Sequence, residues 1–278
     1  MLNAARGGAR RPPRSLRAQF EQFIEQRIEE YKDSLPRADI LGIGDEAIQE
    51  LAGDDQLQLT EVVLRDQVDA IIRKRLRLPS FRRWREKFVA LRAAQSQPGH
   101  WGLSAHDPVC ALAELLEDQD PVLAVGAADG ACALFLAARG AIVHVADPDI
   151  AAIYGLESRS LSEQLGAQIE CEVAHLERYG PPAVTFVACV IETSVVASLA
   201  AGERAALIGR LKSVTPEGGR HAIMPSASDR GGNSVQLSSD ALLSLYGDWE
   251  VLRTPVPPGA RRTRNIGFSA VCPAPASQ

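Results

Sequence analysis

The sequence lacks the features that mark membrane-spanning, secreted and zinc-binding proteins. No stretch approaches the roughly 18 uninterrupted apolar residues of a membrane-spanning helix, and the first residues form no apolar segment of the signal-peptide kind. The cysteines are odd in number and never spaced as C-x-x-C, which disfavours a disulfide framework and a zinc site. We therefore expect a soluble, cytoplasmic protein without a metal site. Its thiols are predicted to be buried: Cys110, Cys132, Cys171, Cys189 and Cys272.

Aromatic residues are also few, at 5% of 278 residues, and neither sign of charge dominates. There are 30 Lys plus Arg against 35 Asp plus Glu, and 46% of the residues are hydrophobic. This composition is that of a globular protein and excludes collagen-like and disordered chains. The length suits either one large domain or a domain with a sizeable appendage.

The first third of the chain predicts a tail followed by helices. Residues 1–17 carry five arginines and no acid, so we expect a flexible tail. Residues 18–97 show helical periodicity and are predicted to form a helical region that acts as a lid or an oligomer contact. Thr60 is the predicted N-cap of the second helical face. The three apolar faces run from Phe20 to Leu35, from Leu64 to Leu76, and through Phe81, Trp84, Phe88 and Leu91.

A basic segment within this region has two interpretations. Between Arg73 and Arg92 there are nine basic residues and one acid, Glu86. Such a cluster could bind RNA phosphates, and arginines 261, 262 and 264 would add to that surface. It could equally be the solvated side of an amphipathic helix whose charges pair with acids of the preceding helices. The net charge of −5 favours the second interpretation.

After Pro98-Gly99 the pattern changes to short apolar runs that alternate with Ala/Leu-rich helical stretches. Such runs predict a parallel sheet covered by helices on both faces. No helix separates the last two runs, so we expect them to pair as a hairpin. The predicted strands are Val122–Val125, Ile142–Ala146, Ile169–Val173, Val184–Ile191, His221–Met224, Glu250–Leu252 and Ile266–Val271.

One segment, Pro121 to Asp149, carries the clearest chemical signal. It reads as a strand, a turn of small residues from Gly126 to Gly130, a helix, a second strand and then Asp147. Small residues let backbone N–H groups approach a ligand closely, and an acid about 20 residues later is placed for ribose hydroxyls. The segment therefore predicts a site for an adenosine-containing cofactor.

The order of motifs resembles the class I S-adenosylmethionine-dependent methyltransferases. Thr215 to Arg220, read as Thr-Pro-Glu-Gly-Gly-Arg after a helix and before a strand, is similar to that family's turn before its fifth strand. The resemblance covers Pro121 to Val271. It implies an α/β fold with a seven-stranded, mostly parallel, doubly wound sheet, a terminal antiparallel hairpin, and S-adenosyl-L-methionine as cofactor. With the helical region before it, the methyltransferase domain is expected over residues 98–278.

The resemblance also assigns roles to individual residues. Three departures from the family pattern are Ala124 in place of an acid, Ala128 in place of a glycine, and His175 in place of an acid. Glu192 and His106 are the candidate general bases, with Trp101 beside the acceptor; each could instead be a solvated or packing residue. The candidate cofactor-binding residues are Gly126, Ala128, Gly130, Asp147, Pro148, His175, Leu176 and Cys189.

These expectations converge on methylation of an O or N atom of a small molecule. Two alternatives stay open at this point. One is an RNA methyltransferase that uses the basic segment, and the other is a degenerate, non-catalytic partner subunit of methyltransferase fold. The acceptor has no recognisable motif, and the helical region could also contact a second copy of the chain.

Overall fold

The computed structural model describes residues 15–52, 60–224, 239–253 and 268–273. They form two compact units that divide between Leu91 and Arg92, a little before the change of pattern at Pro98-Gly99. Most of the predicted tail and the three loop arginines after residue 260 lie outside the described residues. Among the described helices, none is long and apolar enough to cross a membrane.

The first unit, up to Leu91, is helical. Helix α1 begins at Leu16, so Arg17 belongs to its first turn and not to a tail. Ser15 caps α1 by accepting from the Ala18 N–H at 3.1 Å, and Thr60 accepts from Val63 at 3.3 Å, which confirms the predicted N-cap. The helices are α1 Leu16–Ser34, α2 Arg37–Leu51, α3 Glu61–Arg75 and α4 Phe81–Gln95, the last of which crosses the division.

The core of the first unit is formed by the predicted apolar faces. Phe20 of α1 packs against Trp84 of α4 with ring centroids 5.4 Å apart, and Trp84 stacks on Phe88 at 4.6 Å. Helix α2 is an addition to the predicted faces, and it buries Ile43 and Ala47 in the same core. Helix α2 lies within residues 18–97, so the predicted helical region includes it although its own apolar face was not identified.

The second unit, from Arg92, alternates strands and helices. A 3₁₀ turn over Pro98–Trp101 precedes α5 Pro108–Ala113. The remaining helices are α6 Ala131–Ala138, α7 Ile150–Ser162, α8 Thr193–Ala197, α9 Ala201–Ser213 and α10 Ser239–Leu245. The strands are β1 Pro121–Val125, β2 Ile142–Asp147, β3 Ile169–Val173, β4 Ala188–Glu192, β5 Arg220–Met224, β6 Glu250–Arg253 and β7 Phe268–Val271.

These strands form one seven-stranded sheet in the order β3-β2-β1-β4-β5-β7-β6. The first five strands are parallel, whereas β7 runs antiparallel to both β5 and β6. The predicted doubly wound sheet with its terminal antiparallel hairpin is therefore confirmed. The turn before β5 needs its glycines, since Gly218 has φ +73° and a Cβ on Gly219 would lie 2.6 Å from Thr215 Cγ2.

Alternate residues of each strand enter two separate cores. Val122 and Ala124 of β1 pack with α5, α6 and α7 on one face of the sheet. Leu123 and Val125 pack with α9 and α10 on the other face. Burial on both faces explains why the strands read as continuous apolar runs.

One predicted strand is shorter than its apolar run. The run from Val184 becomes strand β4 only at Ala188, because Val184 follows two prolines and its N–H turns back to the Pro182 carbonyl at 2.7 Å. Phe186 is nevertheless fully buried. A buried loop segment is as apolar in sequence as a buried strand, so the apolar run alone did not show where the strand begins.

Candidate active site

The candidate site lies where the parallel strands β1, β2 and β4 end side by side. Strand β1 lies between β2 and β4, so the chain leaves β1 toward one side of the sheet and later returns on the other. In open α/β sheets, a crevice for ligands forms at this reversal, outside the carboxyl ends of the strands. The ends bring together the loop after Val125, the acid Asp147 and the acid Glu192.

The loop after β1 adopts a conformation that suits small residues. Gly126, Ala128 and Gly130 have φ values of +96°, +46° and +76°, in the left-handed region. Ala128 takes this conformation although it carries a Cβ, at a cost of about 1 kcal/mol or more. The alanine at position 128, where the resemblance led us to expect a glycine, therefore strains the loop at one residue.

Gly126 brings the loop against the end of β4. A Cβ at Gly126 would lie 2.7 Å from Glu192 Cβ and 3.0 Å from Val195 Cγ2, closer than atoms can pack. The loop and Glu192 are thus in direct contact, which only glycine permits here. At the other end of the loop, a Cβ at Gly130 would lie 2.7 Å from Leu156 Cδ1 of α7.

Asp147 holds the loop through its carboxylate. Its Oδ2 accepts the backbone N–H of Ala127 at 2.6 Å, and its Oδ1 accepts that of Asp149 at 2.7 Å. The side chain is only 4% exposed. Each carboxylate oxygen can accept a second hydrogen bond, so ribose hydroxyls would share these oxygens with the loop.

Two backbone donors of the loop remain available to a ligand. The N–H groups of Ala128 and Asp129 have no acceptor within the part of the chain that the structure describes, and both residues are exposed. By contrast, the Ala131 N–H is bonded to Asp129 Oδ1 at 3.0 Å. Exposed N–H groups beside a helix start suit an anionic group such as an amino-acid carboxylate.

The segment after β3, which the resemblance assigns to the adenine side, lies beside Asp147. The Ala174 N–H donates to the Asp147 carbonyl at 3.0 Å, which brings the segment after β3 next to the acid. Pro148 and His175 are exposed there. Leu176 is placed differently, because its side chain is buried in the sheet core. Asp149 caps α7 by accepting from the Ala151 N–H at 2.8 Å.

Cys189 is the predicted cofactor contact that the structure does not bring to this edge. It is fully buried in the core near the start of β4, within 3.5 Å of the Thr215 hydroxyl. Burial raises the pKa of its thiol to about 12, so the group stays protonated. Cys189 lies three residues before Glu192 and therefore about 10 Å from the carboxyl end of the strand.

The Thr215 hydroxyl belongs to a buried polar chain. It donates to the Leu211 carbonyl at 2.9 Å and lies 2.9 Å from His221 Nε2, while His221 Nδ1 lies 2.8 Å from the Tyr246 hydroxyl. Since the only hydroxyl proton of Thr215 goes to Leu211, His221 Nε2 must donate and Nδ1 must accept from Tyr246. These roles require a neutral imidazole, which burial favours by lowering the pKa of His221 to about 3.

Of the candidate bases, Glu192 lies in the site. It is 8% exposed, and its Oε1 accepts from the Ser194 hydroxyl at 3.0 Å. His106 is exposed in the turn before α5, where its N–H donates to Ser104 Oγ at 3.3 Å. Trp101 is buried and donates its indole N–H to the Gln95 carbonyl at 2.7 Å, which is the packing role left open above.

Arg159 is a site residue that sequence reasoning missed. From α7 it donates to the Asp129 carbonyl of the loop, and its guanidinium lies 5.9 Å from the Trp101 ring. It therefore links the loop after β1 to helix α7 and to the 3₁₀ turn that contains Trp101. An arginine on the exposed side of a predicted helix gives no signal for this role.

The remaining cysteines and acids form no metal centre among the described residues, where no group of three His, Cys, Asp or Glu side chains could hold an ion. Cys110 and Cys189 are buried, as predicted, whereas Cys132, Cys171 and Cys272 are half-buried. All of the described cysteines are free thiols.

The sheet order, the positive-φ loop after β1 and the acid at the end of β2 together define the class I methyltransferase fold. The resemblance drawn from the sequence is confirmed at the level of fold. The residues also fit the cofactor of that class, since the loop offers exposed N–H donors and the acid lies beside it.

Comparison with known proteins finds structural neighbours. No family profile matches the chain, and no curated protein matches it. The chain resembles the N-methyltransferase NodS from Bradyrhizobium japonicum WM9 at 16% identity and a TM-score of 0.47, over 61% of this chain and 94% of NodS. It resembles the glycopeptide N-methyltransferase MtfA, solved with S-adenosyl-L-methionine, at 11% identity and a TM-score of 0.48, over 62% of this chain and 95% of MtfA. It also resembles the [4+2]-cyclase SpnF at 20% identity and a TM-score of 0.43, over 52% of this chain and 59% of SpnF.

Proposed function

We propose that the protein is an S-adenosyl-L-methionine-dependent methyltransferase that acts in the cytoplasm on an O or N atom of a small molecule. The observation that carries this proposal is the loop after β1, which is held by Asp147 and presents free N–H donors beside it. This arrangement serves a ligand that is anionic at one end and carries a ribose at the other.

The residues around the loop would divide the binding of the cofactor. The N–H groups of Ala128 and Asp129 would receive the carboxylate of its methionine part. The remaining lone pairs of Asp147 would accept from the ribose hydroxyls, and Pro148 and His175 would flank the adenine. S-adenosyl-L-methionine, when bound, supplies an already activated methyl group.

Because the methyl group is activated, the protein's task is chiefly to position the acceptor and exclude water. Positioning of this kind can lower a barrier by about 7–11 kcal/mol at best. Glu192 is the side chain placed to help, since it contacts the loop at Gly126 and is oriented by Ser194. Its carboxylate could remove a proton from an acceptor hydroxyl or ammonium group. His106 would enter only if the turn before α5 contacts the acceptor.

The test is methyl transfer from cofactor labelled in its methyl group to a panel of small amines and alcohols, with total RNA as a parallel acceptor. The proposal expects label on a small acceptor, which then identifies its class. Label on RNA alone would replace the small-molecule proposal with the RNA enzyme. Failure to bind cofactor would favour the non-catalytic subunit.

A further inference from the structure

Six exposed bases of the first unit have no acidic partner among the described residues, and on α4 they lie on both flanks of the buried stripe. We define the basic face as six side chains at the end of α3, in the following turn and on α4. All six are exposed: Arg73, Lys74, Arg77, Arg83, Arg85 and Lys87. Five residues, Leu76 to Ser80, separate the two helices. The end of α3 and the start of α4 therefore lie within about 20 Å of each other.

The acids of the preceding helices pair with neighbours of this face and not with the face itself. Arg75 is paired with Glu46 of α2, and Arg82 with Glu86 one turn later at 3.2 Å. For the six members of the basic face, no acidic partner lies within 4.0 Å among the described residues. Internal charge pairing therefore accounts for two bases of the segment and leaves the face uncompensated.

Helix stability does not explain the bases on α4. The last turn of α3 carries Arg73, Lys74 and Arg75, where positive charge is favourable to the helix dipole. The first turn of α4 has no acid and carries Arg82 and Arg83, where positive charge is unfavourable. An anionic ligand near this turn would offset that cost.

The apolar side of α4 excludes insertion into a lipid surface as the use of this face. An amphipathic helix at a membrane must present its apolar face to the lipid. Here Phe81, Trp84 and Phe88 are committed to the core of the unit, where Phe20 packs against Phe81 at 5.5 Å. Apart from Val89 and three alanines, what remains exposed on α4 is mostly charge, much of it guanidinium, which bonds phosphate oxygens in pairs.

We propose that the basic face binds the phosphate backbone of a nucleic acid without reading its bases. The remainder of the chain is acidic, which would confine a polyanion to this face. This inference is independent of the proposed methyl transfer, because every residue that carries it lies in the first unit.

The test is fluorescence anisotropy of the full chain with labelled single-stranded RNA, single-stranded DNA and duplex RNA of one mixed sequence, across a salt series. The test variant is the triple Arg83→Glu, Arg85→Glu, Lys87→Glu. The matched control is Arg37→Glu, Arg65→Glu, Arg178→Glu, three exposed arginines outside the basic segment with the same change in charge. Thermal unfolding establishes that both triples fold, and Gln variants of the same residues replace them if not.

The proposal expects binding that weakens linearly with the logarithm of salt concentration. The test triple should lose at least tenfold in affinity and flatten the slope by about 2, while the control retains most of the affinity. The RNA and DNA arms identify the kind of nucleic acid. Equal loss in both triples, no binding at low salt, or binding only to phosphatidylserine vesicles would each overturn the proposal.

Discussion

Ala127 donates its backbone N–H to Oδ2 of Asp147 across 2.6 Å, although the two residues are 20 positions apart. The contact ties the loop after β1 to the end of β2. An acid expected to hold a ribose therefore also shapes the loop that would hold the other end of the cofactor. A change at Asp147 should consequently affect both ends of the site.

The strain at Ala128 predicts a stabilising substitution. Ala128→Gly should raise the free energy of unfolding by about 0.5–1 kcal/mol, because glycine adopts φ +46° without a steric cost. Urea unfolding would measure this. The control Ala127→Gly, at a residue without positive φ, should be destabilising, and a loss of stability in Ala128→Gly would contradict the account.

The contact at Gly126 predicts a severe effect of one methyl group. Gly126→Ala should destabilise the protein by more than 1 kcal/mol and abolish cofactor binding, since the new Cβ would lie 2.7 Å from Glu192 Cβ. Gly155→Ala is the control, because nothing lies within 4 Å of its Cβ position on α7 and alanine favours helix. Thermal unfolding and cofactor titration measure the two effects. Equal stability and equal cofactor affinity in the two variants would contradict the importance of the contact between Gly126 and Glu192.

The position of Glu192 predicts a separation of binding from turnover. Glu192→Gln keeps the size of the side chain and removes its basicity, so kcat should fall by about 10²-fold or more while the Kd for cofactor changes little. The control is Glu172→Gln, an exposed acid of β3. If kcat of Glu192→Gln is unchanged with an acceptor that must lose a proton, Glu192 does not remove that proton.

The neutral, buried His221 predicts acid sensitivity. Its pKa is about 3 in the folded protein against an ordinary 6.5, so below pH 6.5 the unfolded chain binds a proton that the folded chain does not. Stability from this residue is complete above pH 6.5 and falls as the pH drops toward 3, by at most about 1.4 kcal/mol per pH unit. Urea unfolding from pH 7 to 4 would measure the slope.

Two variants isolate this effect. His221→Gln can still accept from Tyr246 and donate to Thr215 but cannot titrate, so its stability should depend less on pH. His175→Gln removes an exposed histidine and should keep the slope of the original protein. A slope that is the same in all three proteins would contradict the assignment.

The sequence predicted the sheet, the loop and Asp147 because each depends on local pattern. Apolar runs mark strands, small residues mark the loop, and the spacing to Asp147 follows from one strand-helix-strand unit. Contacts between distant segments carry no such pattern. The approach of Gly126 to Glu192 and the bond from Arg159 to the loop arise only when the sheet is assembled.

Leu176 and Cys189 show where carrying roles over from a motif goes astray. Leu176 directly follows His175, and Cys189 lies on the strand that ends at Glu192, yet both side chains enter the sheet core. Strand β4 is buried along its whole length, so its apolar run does not reveal which side chain meets a ligand. Asp147 escaped this ambiguity because it is charged and ends its strand.

Calorimetric titration with S-adenosyl-L-methionine and S-adenosyl-L-homocysteine tests the central claim most directly. The account predicts micromolar binding, about −8 kcal/mol, to the original protein and at least a tenfold loss in Asp147→Asn. Asp149→Asn is the matched control, since asparagine is an equally good helix cap and the charge change is the same. No heat and no thermal stabilisation of the original protein at millimolar cofactor would contradict a cofactor-binding site.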